Sequence, residues 1–281
     1  MNLQVPSSLS SSDERSAGNT GFETDLSKCI EGNLDTNSEI GVILPTYCEA
    51  QNIEKLIHEI KNLGLDSSIL VIDDSSPDGT SDIVRRCQEK YDDILLFVRP
   101  KKLGLGTAIT DGFRIFLSVK NPPDYVITMD ADYSHNPKDV PRLISTAKAG
   151  SGLVVGNRYC GEGGAVNWSL FRSALSRMAN LIASVVIGAN LHDYTSGLRC
   201  YSMNLVERTI GDLHSQTYEI QIETVRQAHL QGFKIGEVPI VFVNRKKGKS
   251  KLTFAEIQGF LFYIIKTALG LSKSSSFCSG K

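Results

Sequence analysis

Val126-Ile127-Thr128-Met129-Asp130-Ala131-Asp132 is an apolar run closed abruptly by two carboxylates. A run of β-formers ending in Asp-x-Asp reads as a buried strand that empties into a cleft. The two acidic side chains, one residue apart, repel each other and call for a positive partner. A hard divalent cation fits, because Mg²⁺ is usually held by one or two carboxylates together with substrate phosphates. The plainer reading is a strand followed by an acidic turn, since Asp favours turns. The neighbouring stretches decide between them.

Upstream, the same pattern occurs twice. Ile40-Gly41-Val42-Ile43-Leu44 runs into Pro45-Thr46-Tyr47-Cys48-Glu49, and Ile69-Leu70-Val71-Ile72 runs into Asp73-Asp74-Ser75-Ser76-Pro77-Asp78-Gly79-Thr80. Amphipathic spacing predicts helices over 50–63, from 80 to 91, up to 119 and over 137–149, with further strands at 94–98 and 153–156. Strands alternating with helices predict βαβ units, hence an α/β, Rossmann-like, mainly parallel sheet flanked by helices. Ligands of open α/β sheets sit at the carboxyl ends of the strands. Three polar clusters on that one rim therefore predict a site rather than three independent turns. No G-x-G-x-x-G follows the first strand and no P-loop motif occurs, so neither a dinucleotide fingerprint nor a P-loop is expected. Lys102-Leu103-Gly104-Leu105-Gly106 is a weaker Gly-rich signal, read as the start of a helix whose N–H groups face the cleft.

Composition narrows the function classes. The 281 residues carry a formal charge of −1, which gives no reason to expect nucleic acid as a partner. The C-terminal stretch is nonetheless basic, with eight Lys/Arg against two Glu between Lys234 and Lys273. Six cysteines without a C-x-x-C pair read as reduced thiols of a cytosolic protein, and five scattered histidines give no zinc site. Residues 1–38 are polar and read as a disordered extension, with no apolar core of a secretory signal in Met1 to Thr20. The segment from Phe254 to Leu271 is interrupted by Glu256, Gln258 and Lys266, too polar for a membrane span.

Beyond Gly156, Arg158 stands at a strand end, and a Gly-rich loop, 161–168, leads into a helix expected over 170–188. Arg172 and Ser176 lie four apart on one face of that helix, and a guanidinium with a nearby hydroxyl suits a phosphate. Arg177 reads as a solvated edge. Asp193 is either a structural cap or a cleft residue. Glu219 and Glu223, one turn apart on a helix expected over 217–230, are read as exposed carboxylates, although either could be an acid or base. A last strand is expected over 235–243. The basic stretch Asn244-Arg245-Lys246-Lys247-Gly248-Lys249-Ser250-Lys251 then reads as a mobile loop closing over an anion, or as a Lys-rich turn.

Together these motifs resemble the dolichyl-phosphate mannose synthase family, inverting glycosyltransferases of GT-A type in family 2. The resemblance covers about residues 40 to 255. Besides the stretches above it includes Asp130-Ala131-Asp132-Tyr133-Ser134-His135, Thr195-Ser196-Gly197-Leu198-Arg199, Glu237-Val238-Pro239-Ile240 and Ser250-Lys251-Leu252. It implies a GT-A domain over 39–252, followed at 253–281 by a C-terminal amphipathic helix and tail. It also implies transfer of mannose from GDP-mannose to dolichyl (polyprenyl) phosphate. Pro45, Tyr47, Glu49, Ile72, Asp74 and Ala131 would then hold the nucleotide, and Asp130 and Asp132 would hold Mg²⁺ or Mn²⁺. Arg158, Arg172 and Ser176 would receive the lipid phosphate, with Arg245 and Lys251 closing over the donor. Cys48 and Tyr133 depart from the Asn and Leu common there, and neither change removes a charged group. The implied location is peripheral, on the cytoplasmic face of a membrane (endoplasmic reticulum or plasma membrane). Contact would come through the amphipathic helix or a separate membrane-anchoring subunit. The rival readings are transfer of glucose or another sugar, and a non-catalytic nucleotide-sugar-binding scaffold.

Overall fold

A computed structural model describes residues 29–34, 37–244 and 254–269. Strand β1 (Ile30–Glu31) is followed by β2 (Ile40–Thr46), helix α1 (Ile53–Lys61), β3 (Ser67–Asp73), α2 (Thr80–Gln88), β4 (Ile94–Val98), α3 (Leu105–Ser118) and β5 (Tyr125–Thr128). The chain continues through α4 (Val140–Lys148), β6 (Leu153–Asn157), β7 (Gly164–Val166), α5 (Leu170–Ile187), β8 (Arg199–Ser202) and α6 (Met203–Thr209). Helix α7 (Ile220–Leu230), β9 (Ile235–Pro239), β10 (Val241–Val243) and α8 (Phe254–Ala268) follow.

Among the described residues the main sheet has the order β1-β4-β3-β2-β5-β8-β6-β9, and β7 and β10 form a separate parallel ribbon. Strands β4, β3, β2 and β5 are parallel, whereas β8 runs antiparallel between β5 and β6. Periodicity finds such a strand but says nothing of its direction. Every residue of β3 is buried, as expected for a strand covered on both faces. Alternation then sorts neighbours onto opposite cores. Val42 and Leu44 pack with Leu56, Val84 and Leu143 of α1, α2 and α4, while Ile43 packs with Phe113, Val206 and Ile222 of α3, α6 and α7.

The order reverses at β2, with β3 and β4 on one side and β5 on the other. A crevice opens outside the strand ends at such a switch point. It lies where Thr46, Asp74 and Asp130 leave their strands.

Two expected boundaries change. Residues 29–34 are ordered, although they were expected in the disordered extension. Ile30 and Glu31 pair with Phe97 and Leu96, and Arg85 donates to both Glu31 carboxylate oxygens at 2.8 and 2.9 Å. A two-residue edge strand is too short to leave a pattern in a polar stretch. The single strand expected over 235–243 is broken at Ile240. Its N–H bonds to Asn157 O and its carbonyl accepts from Gly164, so the chain switches from the main sheet to the ribbon.

Helix α8 packs against α5, with Ile264 buried in the core and Phe262, Ile265 and, just past the helix end, Leu269 exposed. The five cysteines among the described residues are free thiols.

Candidate active site

The crevice is a partly open cleft. Eight of the ten residues expected around the donor line it: Pro45, Tyr47 and Glu49 after β2, Ile72 and Asp74 of the β3 end, and Asp130, Ala131 and Asp132 after β5. A further wall comes from Lys102 and Leu105 of the Gly-rich stretch expected at the cleft, and from Thr217 and Tyr218, which were not foreseen from sequence.

Local chemistry explains why these loops stay in place. Asp73 is buried and accepts from Thr46 Oγ1, Ser76 N, Ser76 Oγ and Ser81 Oγ at 2.6–2.9 Å, so it pins the turn. Asp78 accepts from Ala50 N and Thr80 Oγ1, and Thr80 Oγ1 in turn accepts from Glu49 N. The second strand-end loop is thereby tied to the first. Cys48, Ser75 and Tyr133 all have positive φ (59°, 53° and 61°), one in each of the three strand-end turns. Asn tolerates this left-handed region better than most residues, so the Cys48 departure falls where backbone strain is stored. Such strain costs roughly 1–3 kcal/mol per residue and clusters at functional sites.

Asp74 is held by Arg99, which sequence reasoning missed. Arg99 Nε donates to Asp74 Oδ1 at 2.6 Å, with both side chains almost fully buried. The same guanidinium donates to Thr107 Oγ1 and Gly104 O at 2.8 and 3.0 Å and contacts Asp111 at 3.3 Å. Burial raises the Asp111 pKa against the opposing charge of Arg99. One buried cation thus joins the β3 end to the Gly-rich loop. That loop requires its glycines. A Cβ on Gly104 or Gly106 would come within 2.3 Å of the Gln216 or Ser215 carbonyl oxygen, and Gly104 also has φ +101°.

The wall at Thr217 and Tyr218 is shaped by the two glutamates read as exposed. Glu223 is buried and accepts from His214 N and Ser215 N at 3.1 and 2.9 Å. Glu219 accepts from Gln216 N and Thr217 N, both at 3.1 Å, and from Thr217 Oγ1. Both are backbone caps ahead of a helix that begins at Ile220, three residues later than expected.

Asp130 and Asp132 end the opening strand as oxygen donors. Asp132 Oδ1 accepts from Ser134 N at 3.0 Å, and the Asp130 side chain is 30% exposed to the cleft. Beneath them His135 is fully buried, and its Nδ1 accepts from Asp130 N at 3.3 Å. Burial lowers its pKa, opposed by the two aspartates, so the ring is a neutral prop. Among the described residues no group of three or more His, Cys, Asp or Glu could hold a metal by itself. Two hard carboxylates at a cleft do fit Mg²⁺ or Mn²⁺ when phosphate oxygens and water complete the shell.

Arg158 follows β6 and is 7% exposed. Its Nε and Nη2 donate to the two oxygens of Asp193, each at 2.7 Å, and Nη2 also reaches Thr195 Oγ1 at 2.7 Å. Asp193, left open by sequence, is therefore the counterion. Burial alone would raise its pKa, but the Arg158 charge and hydrogen bonds hold it below the usual carboxylate range. Arg172 Nη1 donates to Asn244 Oδ1 at 3.0 Å, and Ser176 Oγ accepts from Tyr159 OH at 2.7 Å. Arg158 and Arg172 are brought together at the indole of Trp168, whose centroid lies 5.0 and 4.5 Å from them. Arg177 is exposed, as expected. Arg245 and Lys251 lie outside the described residues.

The sequence model described as glycosyl transferase family 2 matches residues 41–210. The chain belongs to that family. Among curated relatives of this glycosyltransferase is a polyprenol monophosphomannose synthase of Mycolicibacterium smegmatis, 33% identical over 79% of this chain and 84% of the relative. An undecaprenyl-phosphate mannosyltransferase of Micrococcus luteus is 35% identical over 75% and 86%. The GT-A architecture is shared with glucosyl-3-phosphoglycerate synthase from Mycobacterium tuberculosis, solved with Mn²⁺, UDP-glucose and phosphoglyceric acid. That chain gives a TM-score of 0.59 at 20% identity, covering 86% of this chain and 83% of the other.

Among the described residues, α5 is the one helix long and apolar enough to cross a membrane (18 residues, mean hydropathy 1.3). Sequence reading weighed only the segment from Phe254 to Leu271 as a span and judged it too polar. Most of α5 is surface: Leu170, Phe171, Met178, Leu181 and Val185 are all exposed. The transferase therefore presents one apolar face on α5 and, from α8 packed against it, the exposed Phe262 and Ile265, with Leu269 just past the helix end.

Proposed function

We propose that this glycosyltransferase moves mannose from GDP-mannose to dolichyl or another polyprenyl phosphate, with inversion at C1. The carrying observation is that one helix, α5, bears Arg172 and Ser176 while leaving Phe171, Met178, Leu181 and Val185 exposed. An anionic head on an apolar chain matches both features. The names of the two curated relatives support the sugar and the acceptor class.

In this reading Pro45, Tyr47, Glu49, Ile72, Asp74 and Ala131 seat the nucleotide, and Arg245 and Lys251 close over it. Asp130 and Asp132 hold a divalent cation, which supplies positive charge at the diphosphate leaving group when bound. Arg158, Arg172 and Ser176 receive the acceptor phosphate. That phosphate is already an anion near neutral pH, so its oxygen attacks C1 without a protein base. The new C1–O bond forms as the bond to GDP breaks, and displacement from an α-linked donor leaves a β-linked product. The chain's own residues position the reactants and offset the repulsion between two anions.

The test is transfer of labelled sugar from GDP-mannose, UDP-glucose and UDP-GlcNAc to a polyprenyl phosphate in detergent, with Mg²⁺, Mn²⁺ or EDTA. Mannose-only, EDTA-sensitive product is expected. Transfer from a UDP-sugar alone would replace the donor, and binding without transfer from any donor would favour the scaffold.

The acceptor's chain implies a membrane surface, met peripherally on the cytoplasmic face, with a membrane-anchoring subunit as a further partner. The transferase domain of this reading spans 39–252, and 253–281 forms the surface-seeking tail. Replacing Leu181 and Val185 by Ser is expected to weaken sedimentation with anionic vesicles by about tenfold or more, given the area withdrawn from lipid. GDP binding should be unchanged. Equal sedimentation of variant and wild type would sink the membrane assignment of this face.

A further inference from the structure

Trp168 and Phe242 have no part in the reading above, yet they sit at its centre. The Arg172 and Arg158 guanidiniums lie 4.5 and 5.0 Å from the Trp168 ring centroid, and 5.9 and 5.7 Å from that of Phe242. All four fall within cation–π reach. The two rings meet edge to face at 5.5 Å and 68°, and Phe242 meets His135 in the same way at 5.4 Å and 80°. An aromatic stack thus runs from the prop beneath Asp130 to both arginines.

The backbone holds this stack firmly. Phe242 is the middle residue of β10, in register with Ala165 of β7, and Trp168 follows β7 by two residues. Val243 N donates to Ser134 O, which ties the ribbon to the Asp130–Asp132 turn, and Asn244 N donates to Val166 O. Trp168 Nε1 is buried and makes no hydrogen bond among the described residues. A buried indole normally satisfies its N–H, so this ring is placed by what its faces touch.

We propose that Trp168 and Phe242 are positioning residues: an aromatic clamp that holds the Arg158 and Arg172 guanidiniums together at a fixed distance from the Asp130–Asp132 turn, ready for the acceptor phosphate. The proposal rests on the reading that these arginines take that phosphate. Two guanidiniums side by side repel. Asp193 offsets one, and the quadrupoles of two rings attract both without adding a carboxylate that would compete with the incoming anion. Because the clamp is anchored to the Ser134 carbonyl, it also sets the separation of acceptor oxygen and donor carbon, on which attack depends.

Trp168 is the only tryptophan of the chain, so its fluorescence reports on the clamp alone. Full-length protein in detergent is titrated with a polyprenyl phosphate and, separately, with the same polyprenol lacking the phosphate. A change in emission with the phosphate only is expected, lost in Arg172→Gln and reduced in Phe242→Leu. In transfer assays Trp168→Leu is expected to raise the KM for polyprenyl phosphate by about ten- to thirtyfold, in line with desolvated cation–π contacts. The KM for GDP-mannose and the melting temperature should stay near wild type, and Trp168→Phe should recover most of the loss. The clamp is overturned if Trp168→Leu leaves the acceptor KM unchanged, or lowers stability and raises both KM values alike, as a space-filling ring would. It is equally overturned if the free polyprenol changes the emission as the phosphate does. Phosphate-specific emission from a protein that transfers no sugar from any donor would keep the clamp and remove the mannosyl-transfer reading.

Discussion

Asp132→Asn is expected to abolish measurable sugar transfer while leaving the fold intact. Asn is isosteric, and its amide oxygen can still accept from the Ser134 N–H that Asp132 Oδ1 binds at 3.0 Å. Removing one of two neighbouring carboxylates also relieves their mutual repulsion, so the melting temperature should hold or rise slightly. What is lost is negative charge at the place where the reading puts a divalent cation. Charge stabilisation of a leaving group is worth several kcal/mol, and each 1.4 kcal/mol is tenfold, so turnover should fall by about a thousandfold or more. Single-turnover kinetics with GDP-mannose, alongside a thermal melt, checks both halves. A variant that keeps more than about a tenth of the rate would remove Asp132 from the reaction.

The largest effect on stability is expected at Asp193→Asn. Arg158 and Asp193 are almost wholly buried and joined through two 2.7 Å hydrogen bonds. Removing one partner of a buried pair leaves an uncompensated charge and costs about 3–5 kcal/mol. For a chain of this size that lowers the melting temperature by on the order of 10 °C. The sign with pH follows from the depressed Asp193 pKa. Its stabilisation is present above the unfolded carboxylate value of about 3.9 and is lost as pH falls through the folded value. The gap between wild type and variant should therefore be constant near neutrality and close in acid. Replacing both residues by apolar ones of similar size should recover much of the stability but none of the transfer. Recovery of transfer in that double variant would mean that Arg158 serves the fold alone.

Much of the cleft was legible because it is local. Each loop that lines it from β2, β3 and β5 directly follows an apolar strand, and parallel strands deliver their ends to one rim. The eight cleft residues could therefore be named from three short stretches. Arg99 was not legible, because its carboxylate partner lies 25 residues away and nothing in the stretch Ile94-Leu95-Leu96-Phe97-Val98-Arg99 tells a buried arginine from a solvated one. Glu223 was misread for a related reason. A helical carboxylate is usually exposed, and only the path of residues 214–217 over α7 turns it into a buried cap. Phe242 looked like one more apolar strand residue until the chain switched sheets at Ile240.

The sequence by itself determined the α/β class, the rim on which the site lies and the acidic pair at its centre. These follow from hydrophobic periodicity and from residues adjacent along the chain. Only the tertiary structure decided which charges neutralise one another, that Asp193 is the counterion of Arg158, and that Trp168 and Phe242 gather two arginines from different elements. Pairing across 35 residues, as between Arg158 and Asp193, depends on where β6 and the segment before β8 meet in space. That meeting is set by an antiparallel strand inserted into a parallel sheet, a direction that no local pattern of side chains encodes.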